Sequence, residues 1–217
     1  MPKSAEDLLG FPALRPSLED VRGVFDCGDR VLRDDILNPH REPQVTAADK
    51  ARARDASVLM LFVDGPRPSL LVTERAAAIP FAGHQVFPGG LAEQTDADAK
   101  ATMYREVEEE IGLSRRGFDL LGRLADYYTH SGYRIAPYVG LTPRPPELCL
   151  AAAEVAGVSY LPLHVLFDPA HYELRTRSHW PYRANFQWLY GGVRVTGPTI
   201  SLIIALYGAL ARLSKAA

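Results

Sequence analysis

The segment from Ala97 to Gly112 constrains this chain more than any other, because its apolar and acidic residues separate at helical spacing. At 100° per residue, with Glu106 at 0°, Met103, Tyr104, Val107 and Ile111 fall between about 60° and 160°. A stripe of that kind has to be buried against another layer. Glu109 falls at about 300° and Glu110 at about 40°, so three carboxylates share about a third of the helix surface. Glu108 points the other way, at about 200°. Thr95, Asp96 and Asp98 offer capping side chains at the start, and Gly112 offers a stop.

The layer that receives the stripe is expected to be a sheet. Ser57–Val63 is a short apolar run that reads as a buried strand. Asp64-Gly65-Pro66 supplies a turn and Ser69–Thr73 a returning strand. Residues 76–86, rich in Ala with Pro80 and Gly83, read as a loop closed by Phe87-Pro88-Gly89-Gly90. Further strands are expected at Phe118–Arg123, Tyr133–Leu141 and Glu154–Tyr160, a short helix or turn from Leu161, and a closing helix over Pro198–Ser214. Leu18–Leu37 has room for one or two helices, and Asn38–Thr46, with two prolines, for a connection. Strands on both sides of one central helix, then a closing helix, predict an α/β fold: α/β/α layers around a mixed sheet.

With 217 residues, 47% of them hydrophobic, the chain can bury one sizeable core without staples. A net charge of -2 and the lack of a basic run exclude nucleic acid and a membrane surface as expected partners. Cys27 and Cys149 lie far apart and read as unlinked thiols of a reducing compartment. The first residues hold no signal-peptide core, and the apolar stretch Thr199–Leu213 is short for a bilayer span. The expected location is therefore cytoplasmic, as a monomer or homodimer. His164, His171 and His179 show no zinc spacing, and neither a GxSxG elbow nor a phosphate-binding GxxxxGK[ST] loop occurs.

Clustered carboxylates at i, i+3 and i+4 repel one another, and acids near a helix C-terminus oppose the macrodipole. A hard divalent cation removes both conflicts, since Mg²⁺ and Mn²⁺ prefer oxygen ligands and bridge carboxylates to phosphates. A run of glutamates by itself is more often a solvated face. Its surroundings decide otherwise here: a Gly-Gly turn upstream, Asp96 near the helix start and Gly112 at its end.

Gly90, Asp96 and Arg105-Glu106-Val107-x-Glu109-Glu110-x-Gly112-Leu113 resemble the Nudix box, a loop–helix–loop that binds metal and diphosphate. Five residues separate Gly90 from Asp96, as usual, but eight separate Asp96 from Arg105 where the usual box has seven. That spacing resembles the coenzyme A pyrophosphatase branch of the Nudix superfamily. So do Leu70-Leu71-Val72-Thr73-Glu74-Arg75, Ala82-Gly83 with Phe87-Pro88-Gly89-Gly90, Thr129-x-Ser131-Gly132-Tyr133 with Pro137-x-Val139-Gly140, and Glu154-Val155 with Leu161-Pro162-Leu163. The likeness runs from about residue 55 to 168. Within it, Ile79-Pro80-Phe81 stands where the branch has an Arg and a His, and His84 where it has Gln. Thr196-Gly197-Pro198-Thr199 replaces its Trp-Gly-x-Thr.

The resemblance implies a Nudix-type α/β/α sandwich over 55–217, preceded by a helical or irregular extension over 1–54. It implies a pyrophosphatase that splits coenzyme A or an acyl derivative into phosphopantetheine and 3′,5′-ADP. ADP-ribose or another nucleoside diphosphate derivative is the second expected substrate, and a silent Nudix-fold binding or regulatory protein the third reading. Glu106, Glu109 and Glu110 are the implied ligands of Mg²⁺ or Mn²⁺. The catalytic set is Arg105, Glu106, Glu109 and Glu154, with Arg105 orienting a box carboxylate such as Asp96. Glu154 stands open between a ligand, the general base and a surface residue at a strand start. Arg75, Gly89, Gly90, Thr129 and Ser131 are the candidate contacts to a small diphosphate substrate.

Overall fold

Strand β1 (Arg54–Val63) is the spine of the molecule, because both of its faces are apolar. In the computed structural model, which describes residues 9–26, 45–176 and 184–216, Leu59, Leu61 and Val63 face one layer and Met60 and Phe62 the other. Strands buried on both sides read as continuous hydrophobic runs, which is what Ser57–Val63 shows.

Two of the described elements precede the sheet: helix α1 (Leu18–Asp26) and a single turn-and-a-half, α2 (Ala47–Arg52), capped by Thr46 and Asp49 in a reciprocal box. Then come β1, β2 (Ser69–Arg75), β3 (Gln85–Val86), β4 (Gly89–Leu91) and helix α3 (Ala99–Ile111). They are followed by β5 (Asp119–Arg123), β6 (Tyr127–Tyr128), β7 (Tyr133–Thr142), β8 (Val155–Pro162), α4 (Leu163–Leu166), a 3₁₀ turn (Pro169–His171), β9 (Tyr172–Thr176), β10 (Ala184–Tyr190), β11 (Val193–Val195) and α5 (Gly197–Ala216).

Among the described residues the sheet runs β5-β7-β1-β2-β3-β11-β10-β9, with β4 on β1, β6 on β7 and β8 on β2. It is mixed: β1 and β7 pair in parallel from Arg54↔Tyr133 to Val63↔Thr142, and β3 and β11 pair in parallel at Gln85↔Val195. The hairpin expected from Asp64-Gly65-Pro66 is present, with Phe62 opposite Leu70 and Val63 opposite Ser69.

The sheet separates two cores. On one side Met103, Val107 and Ile111 of α3, all fully buried, pack on Leu59, Leu61, Val63 and Leu71. On the other, Ile203, Leu206, Tyr207 and Leu210 of α5 pack on Met60, Phe62, Leu70 and Val72. The predicted α/β/α layering around a mixed sheet is therefore the observed one. Helix α5 is long and apolar enough to cross a membrane, but 67% of that window is buried inside the molecule. Its Tyr207 hydroxyl lies 2.7 Å from the Pro12 carbonyl and 2.5 Å from the Phe167 carbonyl, two acceptors for its one proton. The closing helix thus lies on its own sheet.

Several expectations are adjusted. Helix α3 begins at Ala99 rather than Ala97, and of the three capping candidates Asp98 is the N-cap, accepting from Ala101 N–H at 2.8 Å. The loop over 76–86 ends in strand at Gln85–Val86. The N-terminal extension is no loose appendage, since Leu9, Val21 and Val24 are buried in the α5-side core. Of the helices expected over Leu18–Leu37, one is seen. The rest of that stretch, most of the expected connection over Asn38–Thr46, Cys27 and His179 lie outside the described residues. Cys149 is an exposed free thiol.

Candidate active site

Strand β4 carries the Gly-Gly pair to the middle of the sheet. Gly89 lies opposite Val58 and Gly90 opposite Ser57. Gly89 accepts no side chain, and one at Gly90 would displace the carboxylate of Glu106. Gly89 has φ 142°, and a Cβ there would sit 2.2 Å from the carbonyl oxygen of Ser57. A Cβ on Gly90 would sit 2.3 Å from Glu106 Oε2. The missing Cβ of Gly89 admits the backbone of β1, and that of Gly90 admits the carboxylate of Glu106. The Gly89 N–H donates to Glu110 Oε2 at 2.9 Å, which ties the turn to the helix.

Arg105 organises the face. Its Nη1 donates to Glu106 Oε1 at 2.9 Å and to Glu109 Oε2 at 3.0 Å. Its Nε and Nη2 grip Asp96 at 3.1 and 2.9 Å, a two-toothed contact, and Nη2 also reaches the Leu91 carbonyl at 2.9 Å. Asp96 accepts further bonds from Glu93 N–H at 2.9 Å and Thr102 Oγ1 at 3.0 Å. These bonds, Arg105 foremost, hold the Asp96 carboxyl well below the usual carboxylate range. The same partner raises Arg105.

The glutamates behave differently. Burial pushes the Glu110 carboxyl up to about 7, against the opposing bond from Gly89, with the charges of Glu106 and Glu154 adding to the rise. Burial likewise raises Glu106, against Arg105, and the charges of Glu109 and Glu154 add. Glu108 is exposed on the far side. The helix has no acidic residue in its first turn and no basic one in its last. This is the reverse of what the macrodipole favours. The region is therefore short of positive charge.

Oxygen donors short of a counter-charge fit a hard divalent cation. Arg105 takes one oxygen each of Glu106 and Glu109, and Gly89 one of Glu110. Each carboxylate keeps a second oxygen without a hydrogen bond among the described residues. No three acidic, imidazole or thiolate groups among those residues are drawn together as a ready-made cage. An ion would thus be gathered by side-chain movement on a fixed helix.

The remaining sequence candidates divide. Glu154 is exposed, but its charge bears on Glu106 and Glu110, and its carbonyl accepts from Ala76 N–H beside Arg75. The charge of Arg75 also bears on Glu110, while its Nε donates to the Pro80 carbonyl at 2.9 Å and so braces the 76–84 loop. Thr129 and Ser131 bond to each other at 2.9 Å, and Thr129 Oγ1 accepts from Tyr133 N–H at 3.0 Å. They form a turn before β7, and no hydrogen bond joins them to the carboxylates. A second polar feature was not anticipated: a cleft of about 400 Å³ between β3 and the β10–β11 hairpin, lined by Glu74, His84, Gln85, Gly191, Gly192 and Arg194 among others. The signal for that hairpin was present as Gly191-Gly192 between Tyr190 and Val193.

A carboxylate helix docked on a Gly-Gly strand, with an arginine bridging its acids, defines a class, and comparison agrees on which. The NUDIX domain model matches residues 52–186, and the chain belongs to the Nudix family. The Nudix hydrolase NudL of Photorhabdus laumondii is 36% identical over 138 residues, covering 62% of this chain and 74% of that protein. NudL of Yersinia pestis (strain Pestoides F) is 37% identical over 123 residues, covering 56% of this chain and 62% of the relative. Both are described as uncharacterized. Among solved structures, a Nudix hydrolase from M. smegmatis, RenU, aligns at 17% identity with a TM-score of 0.44, over 51% of this chain and 71% of that one.

Proposed function

We propose that this Nudix protein is a divalent-metal-dependent hydrolase that cleaves the diphosphate of coenzyme A or an acyl derivative, giving phosphopantetheine and 3′,5′-ADP. The observation that carries the hydrolase reading is that Glu106, Glu109 and Glu110 share one face of α3, with Glu106 and Glu110 against Gly89-Gly90 and Arg105 bonded to Glu106 and Glu109. Coenzyme A as the substrate rests on the eight-residue spacer between Asp96 and Arg105 and on the motifs around it.

Glu106, Glu109 and Glu110 would hold Mg²⁺ or Mn²⁺. When bound, such an ion offsets phosphate charge and makes a coordinated water more acidic. The chain's own residues do the rest. Asp96 fixes the guanidinium of Arg105 from one side, so Arg105 can present Glu106 and Glu109 at set positions. Arg105 is a positioning residue in this scheme, since its donors are spent on protein oxygens. Glu154, exposed and with its charge bearing on Glu106 and Glu110, would accept a proton from an attacking water. Arg75 can offset charge on a substrate phosphate. Thr129 and Ser131 are farther candidates for substrate contact, at a turn before β7.

ADP-ribose or another nucleoside diphosphate derivative is the second reading, kept open because Ile79-Pro80-Phe81 and Thr196–Thr199 depart from the coenzyme A branch. Purified protein assayed with Mg²⁺ or Mn²⁺ on coenzyme A, ADP-ribose and NADH separates the readings. Turnover of coenzyme A above the others is expected. Turnover of none would leave a Nudix-fold binding or regulatory protein.

A further inference from the structure

Among the described residues, β5, β8 and β9 are the longer strands that pair on one side only. Two of these open edges carry charge, Asp119 and Arg123 in β5 and Glu173 and Arg175 in β9. Charges on an edge discourage another strand from adding to it. Strand β8 differs: its eight residues read VAGVSYLP, with no charge among them.

The direction of its backbone groups follows from the ladder with β2. The Leu163 N–H donates to the Pro68 carbonyl, and the register continues with Leu161 opposite Leu70, Ser159 opposite Val72 and Gly157 opposite Glu74. Bonded and unbonded pairs alternate in an antiparallel ladder. The N–H and C=O groups of Gly157, Ser159 and Leu161 therefore turn toward β2, and those of Val158 and Tyr160 turn outward. No turn, loop or cap bond among the described residues takes up the outward groups. Nor is the edge covered by bulk. A Cβ on Gly157 would meet nothing within 4 Å, and Tyr160 is 41% exposed. The ladder shifts between Glu74 and Arg75, where Ala156 has no partner, so the regular stretch is Gly157–Pro162.

A strand on a two-fold axis meets itself antiparallel, so its own residues have to be complementary. Rotation about Ser159 sets Val158 of each copy opposite Tyr160 of the other. Each such pair exchanges two backbone bonds, and no outward group of either residue is left over. Aromatic against β-branched is a favourable cross-strand pair. Ser159 then meets Ser159 and Gly157 meets Leu161, so no charges oppose. An axis at Val158 would draw on the irregular Ala156. An axis at Tyr160 would set Val158 against Pro162, which has no N–H to give.

We infer that the β8 edge is the interface of a two-fold homodimer, in which a second copy of this chain adds its own β8 in antiparallel register centred on Ser159. The self-complementarity of the uncharged strand is what selects a second copy as the occupant.

The test is sedimentation equilibrium of the full chain at concentrations up to about 100 µM, a range that reaches weak specific association. A dimer is expected. Tyr160→Lys, at an exposed position and shown folded by circular dichroism, should weaken the dimer at least about tenfold, because a lysine on an open edge opposes pairing. The register is read by crosslinking, with Cys27 and Cys149 both replaced by serine. Ser159→Cys in that background should give a disulfide-linked dimer on oxidation, since unbonded antiparallel pairs hold their Cα atoms about 4.5 Å apart, within reach of a disulfide. Gly157→Cys should not, because its counterpart in the second copy lies four residues away along the ladder. A monomer at every concentration overturns the inference. So does a dimer unmoved by Tyr160→Lys, or one in which Ser159→Cys crosslinks no better than Gly157→Cys.

Discussion

At the scale of single residues, the site sets Arg105, together with Arg75, against several carboxylates. Glu109 is the most exposed of the three glutamates, so its replacement disturbs the core least. Glu109→Gln should lower kcat by about 100-fold or more while leaving the melting temperature within a degree or two, as expected for loss of a group that acts on the reaction. Steady-state kinetics beside a thermal melt checks both halves, and an unchanged rate would make the acidic face a solvated surface. Asp96 makes the opposite kind of prediction. Arg105 holds its folded carboxyl below the ordinary 3.8, so its pairing stabilises the fold above about pH 4 and is lost as pH falls through the depressed value. Asp96→Asn should therefore cost about 1–2 kcal/mol at pH 7. The gap to the native protein should narrow in denaturant titrations at pH 3; a constant gap would assign the loss to something other than charge.

The element that matters is α3 with its two ends. Asp98 caps the start through Ala101, and Gly112 closes the end with φ 69°. Asp98→Ala should cost about 1 kcal/mol, as caps do. Gly112→Ala should cost more than the ordinary penalty of about 1 kcal/mol for an alanine at positive φ. The added Cβ would lie 2.8 Å from that of Cys149, beside the backbone bond from Cys149 N–H to the Ile111 carbonyl. Urea melts of the two variants would rank them, and Asp98→Ala proving the worse would remove the steric part of the argument. These ends were legible from sequence, because capping depends on a few neighbouring residues. The cap itself was not unique: Thr95, Asp96 and Asp98 compete locally, and only the engagement of Asp96 by Arg105 leaves Asp98 to cap.

For the whole molecule, the sheet acts as a rigid plate that fixes α3 against Gly89-Gly90, while the carboxylates stay unbalanced in charge. A ligand that binds only the folded chain raises its stability. Mg²⁺ or Mn²⁺ at millimolar concentration should therefore raise the melting temperature, EDTA should reverse the rise, and Glu109→Gln should reduce it. Equal shifts in native protein and variant would locate the ion elsewhere.

Local pattern alone determined the two-faced helix, the β1–β2 hairpin and the order of the central strands. Periodicity and turn chemistry act over a few residues, so they can be read along the chain. It also determined which glutamates share a face, since that follows from 100° per residue. Only the tertiary structure decided the rest. Residues 172–195 received no element from the sequence, and there strands β9 to β11 extend the sheet, joined to it by the pairing of β11 with β3, more than a hundred residues away. That remote pairing builds the cleft. It also took the folded chain to show that the bare backbone at Gly90 makes room for Glu106, that Gly89 N–H donates to Glu110, and that Arg105 spends its charge on Asp96, Glu106 and Glu109. Contacts of that kind depend on which elements the core brings side by side, and no spacing along the chain encodes them.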